Sequence, residues 1–576
     1  MASVPRPEHP RPQQRREEWR TLNGEWEFEV DPGRSGRARG LPDADELAER
    51  ITVPFAPESD RSGIGRTDFM PAVWYRREVE IPGAWLDGRV HLRFEAVDYE
   101  AEVWVNGESV GTHRGGYAPF ALDVTDALEP GNNEVVVSAE DDVRTGRQPA
   151  GKQSDRYDSY GVLYTRVTGI WGPVWLEAVP ETYVGSLRLD PDLEAGRIHV
   201  RAEVAGPREG ELSVRARLDG EDVGRDAVPV AGPTADLAVD LDVIEPWTLE
   251  DPTLYDLSVR LETDGGTDEV ETYAGLRSLA MEDGVLHLNG EPTFQRLVLD
   301  QGYYPDGLYT APSDDALRAD IELAQELGFN GARLHEKVFE ARFLYHADRL
   351  GYLVWGEYGD WGLDRTDAGN LGQVLEEWLE VVERDCNHPS IVGWCPFNET
   401  PADRDPDLQR PVYRATKRLD PTRPVIDASG YHHVETDVVD IHDYDDDPES
   451  FRERYERVRE GESVCLDADH VQEEYDPRLS FVSEYGGAWW NPEAPEDTWG
   501  HGSRPGSPEE FLERYRGLTE ALLENPTIGA FCYTQLYDIE QEVNGLYTYD
   551  REPKFDDETM AEIRGINETT AAVERE

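Results

Sequence analysis

Alternation of apolar and polar residues at every second position dominates the first part of the chain. From residue 19 to about residue 179, short alternating runs are separated by turn residues, and the run 102–105 leads directly into Asn106 and Gly107. An Asn-Gly pair between two alternating runs is the strongest short-range signal of a β-hairpin. Because strand follows strand with no helical period, the pattern predicts a β-sandwich of jelly-roll type.

A smaller segment of the same kind follows. Its alternating runs at 185–189, 198–204, 211–218 and 257–262 have the spacing of an immunoglobulin-like sandwich. The segment is rich in Asp, Glu and Gly and contains no cluster of residues suited to chemistry. We therefore expect it to be a structural spacer.

The period changes near residue 284, where strand-like runs begin to alternate with helical ones. Eight such strands are predicted, at 294–299, 331–334, 352–357, 391–397, 424–428, 439–442, 479–484 and 529–535. Eight strands with intervening helices are typical of a (β/α)8 TIM barrel, in which the chemistry lies at the carboxyl ends of the strands. The predicted protein is multidomain, with a jelly-roll sandwich at 1–180, an immunoglobulin-like β-sandwich at 181–278 and a TIM barrel at 279–576.

Two of the predicted barrel strands lead into a glutamate. Glu399 follows strand four and Glu484 closes strand seven. A lone glutamate at a strand end is usually a solvated loop residue. Two of them at the same end of one barrel indicate a catalytic pair. Two opposed carboxyl groups about 5–5.5 Å apart are the minimum needed to cleave a glycosidic bond with retention.

The aromatic content agrees with a sugar substrate. The chain has 15 Trp and 26 Tyr, and these rings offer flat apolar faces with a hydrogen-bonding edge, which suits pyranose rings. Most of them are nevertheless expected to fill sandwich and barrel cores.

The charge of the chain is strongly negative. It is −65 at pH 7, from 121 acidic and 56 basic residues, which excludes nucleic acid and anionic membranes as partners. Disorder, the other common reason for such charge, is excluded by the even spread of apolar residues. Concentrated salt screens self-repulsion to a few ångströms, so we expect a protein that works in molar salt, in the cytoplasm of a halophile.

Cofactors and export are not indicated. The four cysteines, at 386, 395, 465 and 532, show no C-x-x-C spacing, and no acidic spacing of the EF-hand kind is present. We expect no metal site and no required cofactor, with Mg²⁺ or Na⁺ left open. The N-terminal residues lack an apolar signal region and no run of 18 apolar residues exists, so a cytoplasmic location without a membrane span is expected.

Several short motifs resemble one family along nearly the whole chain. They are Trp19 with the run 22–28, the runs 74–77, 105–107 and 113–117, the run 168–177, and the two glutamate motifs of the barrel. In this order they resemble glycoside hydrolase family 2, the group of β-galactosidases, β-glucuronidases and β-mannosidases, with the acidity of a haloarchaeal member. The resemblance implies that Glu399 is the acid/base and Glu484 the nucleophile.

The residue types fit these implied roles. Glu399 must carry a proton for the leaving oxygen, so we expect a desolvated site that raises its pKa, whereas Glu484 must be ionised and surrounded by donors. The resemblance implies that Asn398 donates to the sugar 2-hydroxyl.

Further pocket residues are predicted at other strand ends. Arg333 is expected to orient Glu484 through charge-assisted hydrogen bonds. The other substrate-binding candidates are His335, Asp300, His442, Tyr444 and Gln535, with Tyr444 holding the nucleophile's unreactive oxygen. Glu357 either contacts sugar or anchors a loop.

One departure from the family's sequence pattern narrows the range of expected substrates. β-Glucuronidases of the family carry an Asn-x-Lys that binds the uronic acid carboxylate, and the nearest stretch here, 544–546, has no lysine. This favours a neutral sugar, and β-galactosides are chosen as the largest neutral class. The alternatives are β-glucuronidase, β-mannosidase or arabinosidase activity, and, outside enzymes, an inactive carbohydrate-binding protein. The expected partner is an oligosaccharide or glycoside, and homo-oligomers are left open.

One segment of the sandwich is a candidate for reaching the barrel. The stretch 157–166 is aromatic, is preceded by Lys152, one of only four lysines, and is long enough to extend to the barrel's open end.

Overall fold

The N-terminal part is the predicted β-sandwich. The computed structural model describes residues 4–207, 209–462, 479–491 and 498–575. Twelve strands form the sandwich: β1 (Trp19–Thr21), β2 (Gly24–Val30), β3 (Glu49–Val53), β4 (Ala72–Ile81), β5 (Arg89–Phe94), β6 (Val97–Asp98), β7 (Glu100–Val105), β8 (Glu108–Arg114), β9 (Phe120–Asp123), β10 (Gly131–Glu140), β11 (Gly169–Ile170) and β12 (Val174–Val179). Their two main sheets, in the orders β1-β12-β5-β9 and β3-β2-β4-β10-β7-β8, enclose one apolar core.

The predicted Asn-Gly hairpin is present. Asn106 and Gly107 both have positive φ, 51° and 78°, and connect the antiparallel strands β7 and β8. Positive φ at both central positions is what a two-residue turn needs to match the twist of its strands.

The second unit is the predicted immunoglobulin-like sandwich. Its strands are β13 (Tyr183–Asp192), β14 (Arg197–Ala205), β15 (Gly210–Leu218), β16 (Glu221–Val230), β17 (Thr234–Asp240), β18 (Tyr255–Thr263) and β19 (Gly266–Ala274). The sheets β13-β14-β17 and β16-β15-β18-β19 pack an apolar core between them.

The third unit is a barrel of parallel strands. A small antiparallel sheet, β20 (Leu279–Glu282), β21 (Val285–Leu288) and β22 (Glu291–Thr293), precedes it. The barrel strands are β23 (Gln295–Asp300), β24 (Gly331–Leu334), β25 (Leu353–Glu357), β26 (Ile391–Cys395), β27 (Val439–Asp443), β28 (Leu479–Tyr485) and β29 (Ala530–Tyr533), in the order β26-β25-β24-β23-β29-β28-β27. The barrel prediction is confirmed.

One predicted strand is not formed as a ladder. The stretch 424–428 makes only isolated parallel bridges with the chain at β26, Trp394 to Val425 and, just beyond, Asn398 to Ser429. Pro424 has no N–H to donate, and the Val425 N–H donates to the side chain of Asp437 at 2.9 Å. The prediction of a regular fifth strand is therefore wrong, although the segment lies where that strand was expected.

Helices cover the outside of the barrel. They are α2 (Asp314–Glu326), α3 (Ala341–Leu350), α4 (Leu371–Asp385), α5 (Pro406–Leu419), α6 (Pro448–Arg459), α7 (Pro508–Leu523) and α8 (Asp557–Asn567), and a short helix, α1 (Gly36–Arg39), lies in the sandwich. Residues alternate along β23, so that Leu297 and Leu299 join the inner core while Val298 packs on the helical side. No helix of the described residues is both long and apolar enough to cross a membrane.

The cysteines show no disulfide among the described residues. Cys386, Cys395 and Cys532 are free and buried, and residue 465 lies outside the described ranges.

Candidate active site

The two predicted glutamates lie together at the carboxyl end of the barrel. One oxygen of Glu399 and one of Glu484 lie within 4.8 Å of each other, and His442 lies between them. This separation leaves no room for the inserted water of an inverting enzyme, whose carboxyl groups are about 6.5–9.5 Å apart. The pair is therefore arranged for direct attack by one carboxylate on a sugar held beside the other.

The backbone places Glu399 in an unusual conformation. Its φ is +48°, in the left-handed region that residues with a Cβ rarely adopt and that is frequent at functional sites. The Glu399 N–H donates to the carbonyl of Ser429 at 2.8 Å, which holds this turn against the neighbouring segment. The side chain is 18% exposed, compared with 6% for Glu484, so the candidate acid/base is the more open of the two.

Arg333 links the nucleophile candidate to the rest of the site. Its guanidinium donates to Glu484 Oε1 at 2.7 Å, to Asn398 Oδ1 at 2.7 Å and to Glu357 Oε2 at 2.5 Å. The contact with Glu484 is the one the sequence predicts. Because the amide oxygen of Asn398 is occupied by Arg333, its buried Nδ2, which has no partner within the described chain, is left free to donate to a ligand.

Glu357 acts as an anchor. Besides Arg333, it contacts His335 Nδ1 at 2.9 Å and accepts from the Glu336 N–H at 3.1 Å. Of the two roles considered for Glu357, these contacts favour support of the site over contact with sugar. His335 itself lies 4.0 Å from Glu484 Oε1, so it is close to the pair as expected.

His442 is the charged bridge between the two glutamates. Its Nδ1 lies 2.9 Å from Glu399 Oε1 and its Nε2 lies 3.4 Å from Glu484 Oε1. Burial lowers the pKa of His442, but the charges of Glu484 and Glu399 outweigh it and raise the pKa above its usual value. The two ionised carboxylates therefore favour the protonated form of His442.

The pKa of Glu484 agrees with the expectation, and the pKa of Glu399 does not. For Glu484, burial raises the pKa, but the charges of His442 and Arg333 lower it to about 2, as a nucleophile requires. For Glu399, burial also raises the pKa, yet the hydrogen bond and charge of His442 hold it well below its usual range. The expectation of a raised pKa at Glu399 is thus wrong for the free protein, because the contact with His442 favours the ionised carboxylate.

Tyr444 holds the second oxygen of Glu484. Its hydroxyl donates to Glu484 Oε2, and its ring stacks on His501 with centroids 3.5 Å apart. Burial lowers the pKa of His501 to about 3, so this imidazole is neutral. Both oxygens of Glu484 are consequently oriented by donors.

A chain of polar side chains extends the site toward β23. The Gln301 amide donates to Gln535 Oε1 at 2.5 Å, Gln535 donates to Asn544 Oδ1 at 2.8 Å, and Asn544 donates to Glu542 Oε1 at 2.8 Å. The Tyr164 hydroxyl of the sandwich donates to Glu542 Oε2. The candidate stretch of the sandwich therefore reaches the barrel. Gln301 and Glu542 were missed by sequence reasoning, because no local pattern distinguishes them.

Asp300 lies on the side of β23 that faces the helices. Its Oδ1 accepts from the Gly302 N–H at 2.9 Å and from the Tyr537 hydroxyl, and no described contact joins it to Glu399 or Glu484. The pleat places Asp300 on the side of Val298, toward the helices, and the next residue, Gln301, toward the pocket. The prediction that Asp300 contacts sugar is not supported.

Glu399, His442 and Glu484 are also the group that is close enough to hold a metal ion within the described ranges. Two carboxylates and an imidazole suit a divalent cation. In this structure the imidazole lies 2.9 Å from Glu399 and 3.4 Å from Glu484.

Comparison with known proteins identifies the family of the chain. Three family models match in order: "Glycosyl hydrolases family 2, sugar binding domain" at residues 19–143, "Glycosyl hydrolases family 2" at 182–277 and "Glycosyl hydrolases family 2, TIM barrel domain" at 310–494. Together they span most of the chain. The chain belongs to glycosyl hydrolase family 2.

Curated relatives of this family 2 member have more than one activity. A β-galactosidase of Thermoanaerobacter pseudethanolicus is 27% identical over 376 residues, which are 62% of this chain and 48% of the relative. A β-glucuronidase of Paenibacillus borealis is 26% identical over 442 residues, 71% of this chain and 72% of the relative. The chain thus spans about half the length of the first relative.

The fold is shared with a solved β-glucuronidase. The β-glucuronidase of Ruminococcus gnavus superposes with a TM-score of 0.80 at 20% identity, covering 98% of this chain and 100% of the other. At this identity the similarity shows the three-domain fold and leaves the substrate open.

Proposed function

We propose that this family 2 member is a retaining, exo-acting β-glycosidase that removes a terminal non-reducing β-linked sugar. The supporting observation is the oxygen separation of less than 4.8 Å between Glu399 and Glu484, with both oxygens of the latter held by Arg333 and Tyr444. This arrangement suits a double displacement through a glycosyl ester.

In the first step Glu484 attacks the anomeric carbon while the leaving oxygen takes a proton from Glu399. The imidazolium of His442, 2.9 Å from Glu399, is the proton's resting place, and transfer to Glu399 follows when sugar covers the pair and removes remaining water. In the second step Glu399 accepts a proton from water, which hydrolyses the ester and restores the free pair.

The proposed substrate carries a neutral terminal sugar, with β-galactosides the first choice. Asn544 lies in the stretch nearest to the family's uronate motif. Its side chain forms hydrogen bonds with Gln535 and Glu542. No lysine follows it at 545 or 546, and the buried Glu542 carboxylate would repel the carboxylate of a uronic acid.

The proposal also covers the salt concentration in which the protein works. A net charge of −65 on 576 residues implies strong self-repulsion that molar salt screens, so we infer an enzyme adapted to molar salt that needs no cofactor. Its expected cytoplasmic location stays a prediction.

A panel of 4-nitrophenyl glycosides in molar KCl tests the function. We expect turnover of the β-galactoside above the β-glucuronide, β-mannoside and α-arabinoside, and Glu484→Gln should abolish turnover while galactose still binds. Turnover by Glu484→Gln at the wild-type rate would refute the assignment of the nucleophile. Binding of sugar with no turnover of any glycoside by the wild type would instead favour an inactive carbohydrate-binding protein.

A further inference from the structure

Lys152 is a buried ammonium beside the active site, and it comes from the sandwich domain. The residue is only 6% exposed, and its Nζ lies 3.9 Å from the ring centre of Trp361. The Trp361 indole N–H in turn faces the Asn398 carbonyl at 3.3 Å. Trp361 therefore links Lys152 to the residue that precedes the candidate acid/base.

The backbone around Lys152 is fixed to the barrel. The Ala150 N–H donates to the Trp361 carbonyl at 2.7 Å, and the Gly151 N–H donates to the Gly359 carbonyl at 3.0 Å. Gly151 has a φ of +56°, and a Cβ there would lie 2.2 Å from the carbonyl oxygen of Glu336. The position of Lys152 is thus set by main-chain contacts that only glycine permits, without help from its own ammonium.

The ammonium has no protein oxygen as a partner. Within the described ranges it forms neither an ion pair nor a hydrogen bond. The other three lysines each donate to an oxygen: Lys337 to the Tyr309 carbonyl, Lys417 to the Arg423 carbonyl and Lys554 to Asp538. The contact with the Trp361 ring offsets only part of the cost of burying a cation that no oxygen accepts from, so the ammonium is available to a ligand.

The charge of Lys152 acts on the pocket. After burial, it is the largest influence on the pKa of Glu542, which it lowers, and it also lowers the pKa of Glu399 and of His335. Glu542 is 2% exposed, and each of its carboxylate oxygens already accepts one hydrogen bond. Lys152 and Glu542 thus influence each other electrostatically, and no ion pair joins them in the described part of the chain.

Resting on the glycosidase function above, we propose that Lys152 is a substrate-binding residue that the sandwich domain contributes to the sugar subsite. Its ammonium donates to a ring hydroxyl of the terminal sugar, and Glu542 accepts from a neighbouring hydroxyl. Hydroxyl groups can both accept and donate, so a vicinal diol satisfies both charges. A carboxylate at the same place would satisfy Lys152 alone and would be repelled by Glu542.

The test compares Lys152→Met with a matched control in the same loop, Arg156→Gln. Arg156 is 65% exposed at its side chain, so its substitution removes the same charge without touching the pocket. We expect Lys152→Met to lower kcat/KM for 4-nitrophenyl β-galactoside by about 10- to 100-fold, the effect of losing a hydrogen bond from a charged donor. Arg156→Gln should leave it within about two-fold, and Lys152→Arg should recover part of the loss.

Deoxy substrates show whether the contact is direct. On the member of a 3-, 4- and 6-deoxygalactoside series that lacks the contacted hydroxyl, Lys152→Met should cost nothing further. An equal penalty on every member, or no penalty on any substrate, would overturn the proposal, as would a wild type that prefers the β-glucuronide and loses that preference in Lys152→Met. If Lys152→Met does not fold by circular dichroism, Lys152→Gln carries the same comparison.

Failure of this inference is distinct from failure of the function. A wild type that cleaves β-galactosides together with an unaffected Lys152→Met refutes the role of Lys152 alone. A wild type that cleaves no β-glycoside refutes the proposed function.

Discussion

Replacement of His442 by asparagine tests the proposed charge bridge in the active site. The imidazolium Nε2 lies 3.4 Å from Glu484 Oε1, and the side chains are only 2% and 6% exposed. At an effective dielectric of about 20, a unit charge at that distance contributes roughly 5 kcal/mol, or between about 3 and 4 pKa units, as an upper limit. Arg333 remains bound to Glu484 in the variant, so we expect the pKa of Glu484 to rise from about 2 by about 1–3 units.

The direction in which activity changes with pH follows from the role of Glu484 as the nucleophile. The carboxylate must be ionised to attack, so activity is lost as pH falls through its pKa. The wild type should keep kcat/KM constant down to the lowest pH at which it stays folded, whereas His442→Asn should show an acid limb near pH 3–5, estimated from the shift above.

The matched control for this experiment is His501→Asn. His501 is an imidazole of the same site, stacked on Tyr444, but its pKa of about 3 makes it neutral. Its removal takes no charge away, so kcat/KM of His501→Asn should stay constant at low pH, as in the wild type. An acid limb that is the same in the wild type and in His442→Asn would refute the charge-bridge reasoning.

Three further predictions concern the nucleophile, the barrel core and salt. Tyr444→Phe removes the hydroxyl donor to Glu484 and should lower kcat about 10- to 100-fold with little change in KM; an unchanged kcat would contradict this. Trp378→Ala empties a fully buried site beside Trp394 and should cost about 3–5 kcal/mol in denaturant unfolding, while Tyr157→Ala, at an exposed position, should cost less than about 0.5 kcal/mol. The melting temperature should rise steeply between 0.05 and 2 M KCl and equally in NaCl, because screening reduces the self-repulsion; a salt-independent melting temperature would refute the halophilic proposal.

The fold was largely predictable because its elements depend on local periodicity. Runs of alternating apolar and polar residues identify the sandwich strands. The later change to strands that alternate with helices identifies the barrel. The exception is the segment after Pro424, where the missing N–H and the Asp437 side chain interrupt the ladder. Competition from a side chain distant in sequence leaves no trace in a local pattern.

The site was predictable where a strand end fixes a residue's place. Glu399, Glu484, Arg333 and Tyr444 lie together for this reason. Asp300 lies apart from them because a shift of one residue in a pleated strand changes the face, and its contact with sugar stays a prediction.

Other parts of the site depend on long-range packing that no local pattern shows. Glu542 accepts a hydrogen bond from the Tyr164 hydroxyl across 378 residues of sequence. The contact that lowers the pKa of Glu399, with His442, spans 43 residues.

The configuration of the first product tests the central claim most directly. Proton NMR during hydrolysis of a 4-nitrophenyl β-galactoside in molar KCl distinguishes the two anomers of the released sugar before mutarotation mixes them. The proximity of Glu399 and Glu484 predicts the β-anomer as the first product. Initial formation of the α-anomer would show that water attacks directly and would contradict the account.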